Sequence, residues 1–346
     1  MTGFDLGEFD FQLDDALIAK YPVEKRDESR LMIVNRRRGE IFIEPFFRNI
    51  QNHLFNGDLL VFNKTRVSKR RAFLLDDSNR QFEVLFLEKT PDGNSWLCLI
   101  KNLRKLKNND TLSTIYKDYQ FRFTGRDDSY GILRPLTRFD EADFENFGVI
   151  PIPPYFKRES EKSDEERYQT VYGEVPGSVA APTAGLHFTN ELIRNLTQHG
   201  VATTSVELKI SYGTFSPVTE GQILKKKLHP EMYYISKDSA DALNRQKSSG
   251  KRICAVGTTT LRVLETAFDK KRKTFAAGSD STDLFIFPED KINSIDALIT
   301  NFHLPKSSLL LLVCAFAGKN LIFEAYKKAI SEKMRFFSYG DSMLIL

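Results

Sequence analysis

The sequence has little of what several common chemistries require. Among its 346 residues are three cysteines, Cys98, Cys254 and Cys314, far apart in apolar or strand-like runs. Without a Cys-x-x-Cys pair, neither a cysteine zinc site nor a disulfide framework is expected. Histidine is also scarce, at five residues. No two of them share a metal-ligand spacing such as H-E-x-x-H, so no metal is expected. The absence of G-x-S-x-G argues against an α/β-hydrolase. There is no full G-x-G-x-x-G or Walker pattern, no internal repeat and no low-complexity segment. The longest apolar run, Leu309 to Ala317, is too short to span a bilayer. The N-terminal MTGFDLGEFDFQL is acidic and lacks the basic flank and apolar run of a signal peptide. These absences lead us to expect a cytoplasmic protein with no membrane partner. Charge of one sign is not in large excess either. A net charge of +4 does not by itself establish a nucleic-acid partner, so local basic clusters must decide.

Hydrophobic content of 41% and charged content of 28% are those of an ordinary globular protein, and the length allows two domains. Asp14-Asp15, Leu17, Ile18 and Tyr21 have helical spacing, stopped by Pro22, and residues 46–55 suggest a short helix. Strands are expected at 31–34, 40–43, 201–210 and 232–235, with Leu228-His229-Pro230-Glu231 as a preceding turn. Helices are expected at 238–247 and 321–332. The runs 59–62, 253–256, 284–287 and 297–300 lack polar alternation, so they are expected to be buried on both faces. From residue 72 to about 149 the texture changes to short strands separated by turn signals such as Pro91-Asp92-Gly93-Asn94. The expected fold is α/β: a main α/β/α domain of residues 1–68 and 150–346, interrupted by a small antiparallel β-barrel at 69–149.

The stretch EVPGSVAAPTAGLHFT, residues 174–189, reads as a loop poor in charge and rich in small residues. It ends at Thr189-Asn190, a helix N-cap pattern. A ligand can approach such a bare backbone closely, although a tight structural crossover has the same composition. His187 in this loop, His229 and His303 all lie in polar turns beside small residues; each reads either as a functional group or as a loop anchor. The strand 253–256 runs into Gly257-Thr258-Thr259-Thr260 and then a helix, which places bare N–H groups at a helix start. Basic residues gather at Lys69, Arg70 and Arg71, and at Lys101, Arg104, Lys105 and Lys107.

These motifs carry a resemblance. FDFQL, LIAKYPVEKRDESRLM, GDLLVFNKTRV, PIPPYFKR, ERYQTVYGEVPGSVAAPTAGLHFT, AVGTTTLRVLETA, ALITNFHLPKSSLLLLVCAFAG and RFFSYGDSMLI, in this order from end to end, resemble the S-adenosylmethionine:tRNA ribosyltransferase-isomerase family of queuosine biosynthesis. Two departures stand out. Lys209 lies where the family usually has histidine, and Thr260-Leu261 replaces a serine-valine pair.

The resemblance implies that the ribosyl group of S-adenosylmethionine is transferred to 7-aminomethyl-7-deazaguanine at a tRNA wobble position. The product is epoxyqueuosine, and adenine and methionine are released. S-adenosylmethionine is then a substrate and no cofactor is implied. The partner is tRNA with a queuosine-type anticodon, and a monomer is expected. Candidates for proton transfer are His187, His229, Glu231 and His303. Thr183, Gly185, Phe188, Phe215, Gly257, Thr258, Thr259 and Phe302 are candidates for binding the donor. Arg26, Arg30, Arg66, Lys69, Arg70, Arg71, Lys101, Arg104 and Lys105 are candidates for tRNA. The competing readings are a non-catalytic tRNA-binding protein and a methyltransferase that uses S-adenosylmethionine on tRNA.

Overall fold

The computed structural model describes residues 4–211, 213 and 218–346. Phe215 therefore lies outside the described residues. The main body is a nine-stranded mixed sheet. From edge to edge its strands are Gly278–Leu284, Lys227–Ile235, Ala202–Leu208, Leu59–Asn63, Ile253–Val256, Ala297–Asn301, Ser342–Ile345, Leu31–Asn35 and Glu40–Glu44. The four strands Ala202–Leu208, Leu59–Asn63, Ile253–Val256 and Ala297–Asn301 are mutually parallel. Ser342–Ile345 runs antiparallel beside them.

Three of the apolar runs read from sequence lie at the centre of this sheet and are buried along their whole length. Both of their faces are covered, which explains why they show no polar alternation. Leu59, Val61, Ile253, Ala255 and Leu298 face one core, against Leu243, Leu261, Leu264, Leu311 and Ile322 from helices. Leu60, Phe62, Cys254, Val256 and Ile299 face the other, against Phe47, Phe188, Leu192 and Leu196. This is the expected α/β/α layering.

The barrel is also as expected: six strands close in the order Tyr130–Pro135, Trp96–Ile100, Gln81–Lys89, Arg71–Leu75, Thr111–Ser113 and Gln120–Asp127, all antiparallel. Inward positions alternate along Gln81–Lys89 and meet in a core containing Phe82, Phe86, Trp96, Phe121, Phe123 and Phe144. The chain enters and leaves side by side, where Arg71 bridges Val149.

Three local expectations are corrected and one is refined. The helical spacing at 14–21 yields only a 3-10 turn, Asp15–Leu17. Ile18 instead forms a bridge with Phe336, and this tertiary pairing ends the turn. The short helix expected at 46–55 is present but shorter and tighter, a 3-10 helix over Phe47–Asn52. The run 284–287 is not a strand. The strand is the polar segment Gly278–Leu284, pairing with Lys227–Ile235, while Phe285, Ile286 and Phe287 leave the sheet and enter the core. Finally, Leu228-His229-Pro230-Glu231 is part of the strand Lys227–Ile235. Its register shifts between Lys227 and Glu231, which accommodates a proline that cannot donate to the ladder.

Candidate active site

The parallel strands end together, and in open α/β sheets that edge is where ligands bind. A cleft lies there, lined by Tyr155, Ala181, Pro182, Thr183, Ile210, Gly257, Thr258, Thr259, Asn301, Phe302, His303, Phe337 and Ser338. The segment 174–189 forms one side. It is not a plain loop: Val175–Ser178 pairs with Thr65–Val67, and Thr183–His187 is a 3-10 helix. Thr189 then caps the helix Asn190–Gln198 by accepting from the Leu192 N–H at 3.0 Å.

Gly257 forms the hinge of the opposite side. Its φ of 96° is one that side chains rarely adopt, and a Cβ there would stand 3.4 Å from Thr259 Oγ1. It caps the helix Thr258–Ala267 without a side chain. The Thr259 hydroxyl and the Asn301 Oδ1 are both buried with no hydrogen-bond partner among the described residues. Buried polar atoms are normally paired, so two orphans in one wall mark a place built for something polar.

The histidines separate. His303 lines the cleft, with Nε2 2.8 Å from Thr300 Oγ1. Nδ1 of its ring makes no hydrogen bond among the described residues, and burial holds the imidazole down at a pKa of about 3, hence neutral. His187 sits behind the wall. Its Nδ1 is 2.7 Å from Ser29 Oγ and its Nε2 is 3.1 Å from Asn301 Nδ2. Phe47 stacks on the ring at 5.0 Å. Burial, helped by the charges of Arg26 and Arg335, pushes its pKa down to about 3. Both ring nitrogens are thus within hydrogen-bond distance of protein groups, and His187 does not line the cleft.

His229 and Glu231 border an adjoining recess with Ser211 and Arg262. Leu309 lines both this recess and the cleft. His229 is exposed. Glu231 is buried and ion-paired to Arg262, and it accepts the Ser211 N–H at 2.8 Å. Among the donor candidates, Thr183, Gly257, Thr258, Thr259 and Phe302 line the cleft. Phe188 does not: it packs in the core between Phe47 and Phe62. Gly185 is required by Tyr172, whose hydroxyl would overlap a Cβ there. Lys209 is exposed beside Gly177, next to but not in the cleft wall. Thr260 keeps the hydroxyl of the serine it replaces and donates it to Val256 O at 2.7 Å.

The basic candidates also divide. Lys69 pairs with Glu145 and Glu165 at 3.2 and 2.9 Å. Arg70 is buried, paired with Glu141. Arg71 pairs with Glu83 and Glu159 at 2.7 and 2.9 Å. Lys69 and Arg71 thus tie the barrel to the segment that follows it. Arg26 donates to the carbonyls of Glu166 and Leu186, and Arg30 pairs with the buried Asp341 at 3.2 Å. These five, read from sequence as candidates for tRNA, are engaged with protein groups in the structure. Arg66, Arg104 and Lys105 are exposed and have no ion pair among the described residues, and Lys101 is exposed with Glu83 3.8 Å away.

Sequence reasoning missed Asn301, Tyr155 and Ser338. Asn301 carried one usable signal, an amide side chain closing a mostly apolar strand.

Comparison with known proteins adds the family. The model described as "Queuosine biosynthesis protein" matches residues 6–345. A Sulfurihydrogenibium protein named S-adenosylmethionine:tRNA ribosyltransferase-isomerase is 43% identical over 99% of this chain and 99% of its own. A protein of the same name from Thermotoga maritima is 44% identical over 99% of each. The crystal structure of an S-adenosylmethionine tRNA ribosyltransferase from Thermotoga maritima is similar with a TM-score of 0.56 and 35% identity, covering 98% of this chain and all of that one.

Proposed function

Because the chain belongs to the queuosine biosynthesis protein family, we propose that it is an S-adenosylmethionine:tRNA ribosyltransferase-isomerase. It moves the ribosyl group of S-adenosylmethionine onto 7-aminomethyl-7-deazaguanine at the tRNA wobble position. The ribosyl group is isomerised to give epoxyqueuosine, and adenine and methionine leave. The donor is a substrate, and the reaction as proposed needs no separate cofactor. The enzyme works as a monomer in the cytoplasm, with tRNA as its macromolecular partner.

The observation that carries this reading is the cleft at the strand ends, with a helix start that lacks a side-chain cap on one wall and, beside it, polar atoms unpaired among the described residues. The sulfonium acidifies the ribose 5′ hydrogens, so a base begins the reaction by forming an ylide. His303, neutral and lining the cleft, with Nδ1 unbonded among the described residues, is the proposed base. Adenine leaves well only when protonated. His229, in the recess that meets the cleft at Leu309, is the proposed source of that proton, and Glu231 anchors the recess through its ion pair with Arg262. Phe302 and Phe337 line the cleft and offer ring faces to a cationic sulfur. Excluding water protects the ylide. Arg66, Lys101, Arg104 and Lys105 are the proposed phosphate contacts.

The test is to incubate the protein with S-adenosylmethionine and precursor tRNA and to identify the products. Adenine and methionine are expected. S-adenosylhomocysteine would instead indicate methyl transfer, and no turnover would leave a binding protein.

A further inference from the structure

Asn301 is 2% exposed, and its amide nitrogen faces three groups: His187 Nε2 at 3.1 Å, Phe337 O at 3.1 Å and Asp341 O at 3.4 Å. The two carbonyls only accept, so the NH2 side must point there. His187 Nε2 then accepts as well, and its Nδ1 proton goes to Ser29 Oγ. The amide is thereby turned one way, and its Oδ1 is left buried in the cleft wall with no hydrogen-bond partner among the described residues.

The helix start beside it is equally unfinished. An α-helix leaves its first N–H groups without an intrahelical acceptor. The N–H groups of Thr258, Thr259 and Thr260 meet no acceptor among the described residues. The Thr259 hydroxyl is likewise unpaired among the described residues. Sheet register puts the two features together. Val256 lies opposite Ile299, and the Gly257 N–H donates to Ile299 O at 2.8 Å. Asn301, two residues further, ends its strand at the same edge.

One wall thus presents donors for an anion and, next to them, a single carbonyl acceptor for a cation. A carboxylate and an ammonium on one carbon match that pair. We infer that this wall binds the α-amino-acid end of the donor: the carboxylate on the helix start and the Thr259 hydroxyl, the ammonium on Asn301 Oδ1. His187 is a positioning residue that keeps the amide turned. The inference rests on the proposed donor.

The test compares S-adenosylmethionine with its analogue carrying hydrogen in place of the α-amino group. Adenine release is followed with saturating precursor tRNA, and the preference is the ratio of the two kcat/KM values. A hydrogen bond to a charged group corresponds to roughly a ten- to hundredfold preference in the wild type. Asn301→Ala should bring that ratio to about one, through the KM for S-adenosylmethionine, with the analogue changed little. Asn301→Ser, a milder change, should also lower it. His187→Ala should lower the ratio with kcat held within a few-fold, and His187→Gln, which keeps an acceptor toward the amide, should restore it. Equal losses for both substrates in the Asn301 variants would overturn the inference. So would a large kcat loss at unchanged KM in His187→Ala. Wild-type protein that releases adenine from neither substrate would overturn the proposed function instead.

Discussion

Glu231 and Arg262 form an ion pair in which both side chains are almost wholly buried, at 3% and 6% exposure. Arg262 comes from the helix that begins at Gly257, and Glu231 from a strand that flanks the parallel set. The pair therefore fastens the recess to the cleft. Arg262 also donates to Leu284 O at 3.1 Å, and Glu231 accepts the Ser211 N–H. Removing one partner leaves the other charge buried and uncompensated, which costs about 3–5 kcal/mol. Arg262→Ala should lose that much stability in denaturant unfolding. Arg262→Lys should lose less.

His303 lines the cleft, and one of its ring nitrogens has no hydrogen bond among the described residues. If it starts the reaction, His303→Ala should lower kcat by about a hundred- to ten-thousand-fold. The KM for S-adenosylmethionine should change far less. Exchange of the ribose 5′ hydrogens with solvent deuterium, in the presence of tRNA, checks the step directly. Exchange at the wild-type rate in His303→Ala would remove it as the base.

The two buried histidines make stability depend on pH. Each has a native pKa of about 3, against an ordinary value of 6.5. Above 6.5 neither the native nor the unfolded form is protonated there, and the contribution to stability is complete. As pH falls below 6.5 the unfolded chain takes up protons that the native protein refuses. Stability should then fall by about 1.4 kcal/mol per pH unit for each histidine until about pH 3. Melting temperatures measured from pH 7 to 4 should show this slope. His187→Gln should remove roughly half of it.

The exposed cations and the paired ones should behave differently. Neutralising Arg66, Lys101, Arg104 and Lys105 together should flatten the salt dependence of tRNA affinity by about one unit of log–log slope per lost phosphate contact. The protein should remain as stable as before. Neutralising Lys69, Arg70 and Arg71 should instead loosen the junction of barrel and body, seen as a lower melting temperature.

Gly257→Val should fail at the turn itself. The positive φ is strained for any side chain, and Val is the stiffest choice there. The KM for S-adenosylmethionine should rise with little change in the fold measured by circular dichroism.

The sequence alone determined the layers of this protein. Leu59–Phe62, Ile253–Val256 and Ala297–Thr300 are short apolar runs without alternation, and burial on both faces is what such runs require. Gly257 and the Thr189 cap mark helix starts by local chemistry. The barrel was legible for the same reason, since alternation and turn residues repeat at short range. The strand Gly278–Leu284 was not, because it is polar and exposed and becomes a strand only by pairing with Lys227–Ile235. Partnerships across the chain were likewise decided by the tertiary structure. His187 and His303 sit in similar-looking turns. One is closed off by Ser29 and by Asn301, 114 positions away, while the other opens into the cleft. Lys69, Arg70 and Arg71 read as a free basic run until Glu141, Glu145, Glu159 and Glu165 fold against them. Periodicity encodes which face of an element is buried. It does not encode which side chain from a distant element arrives there, and that arrival sets the charge and the free lone pairs on which the chemistry depends.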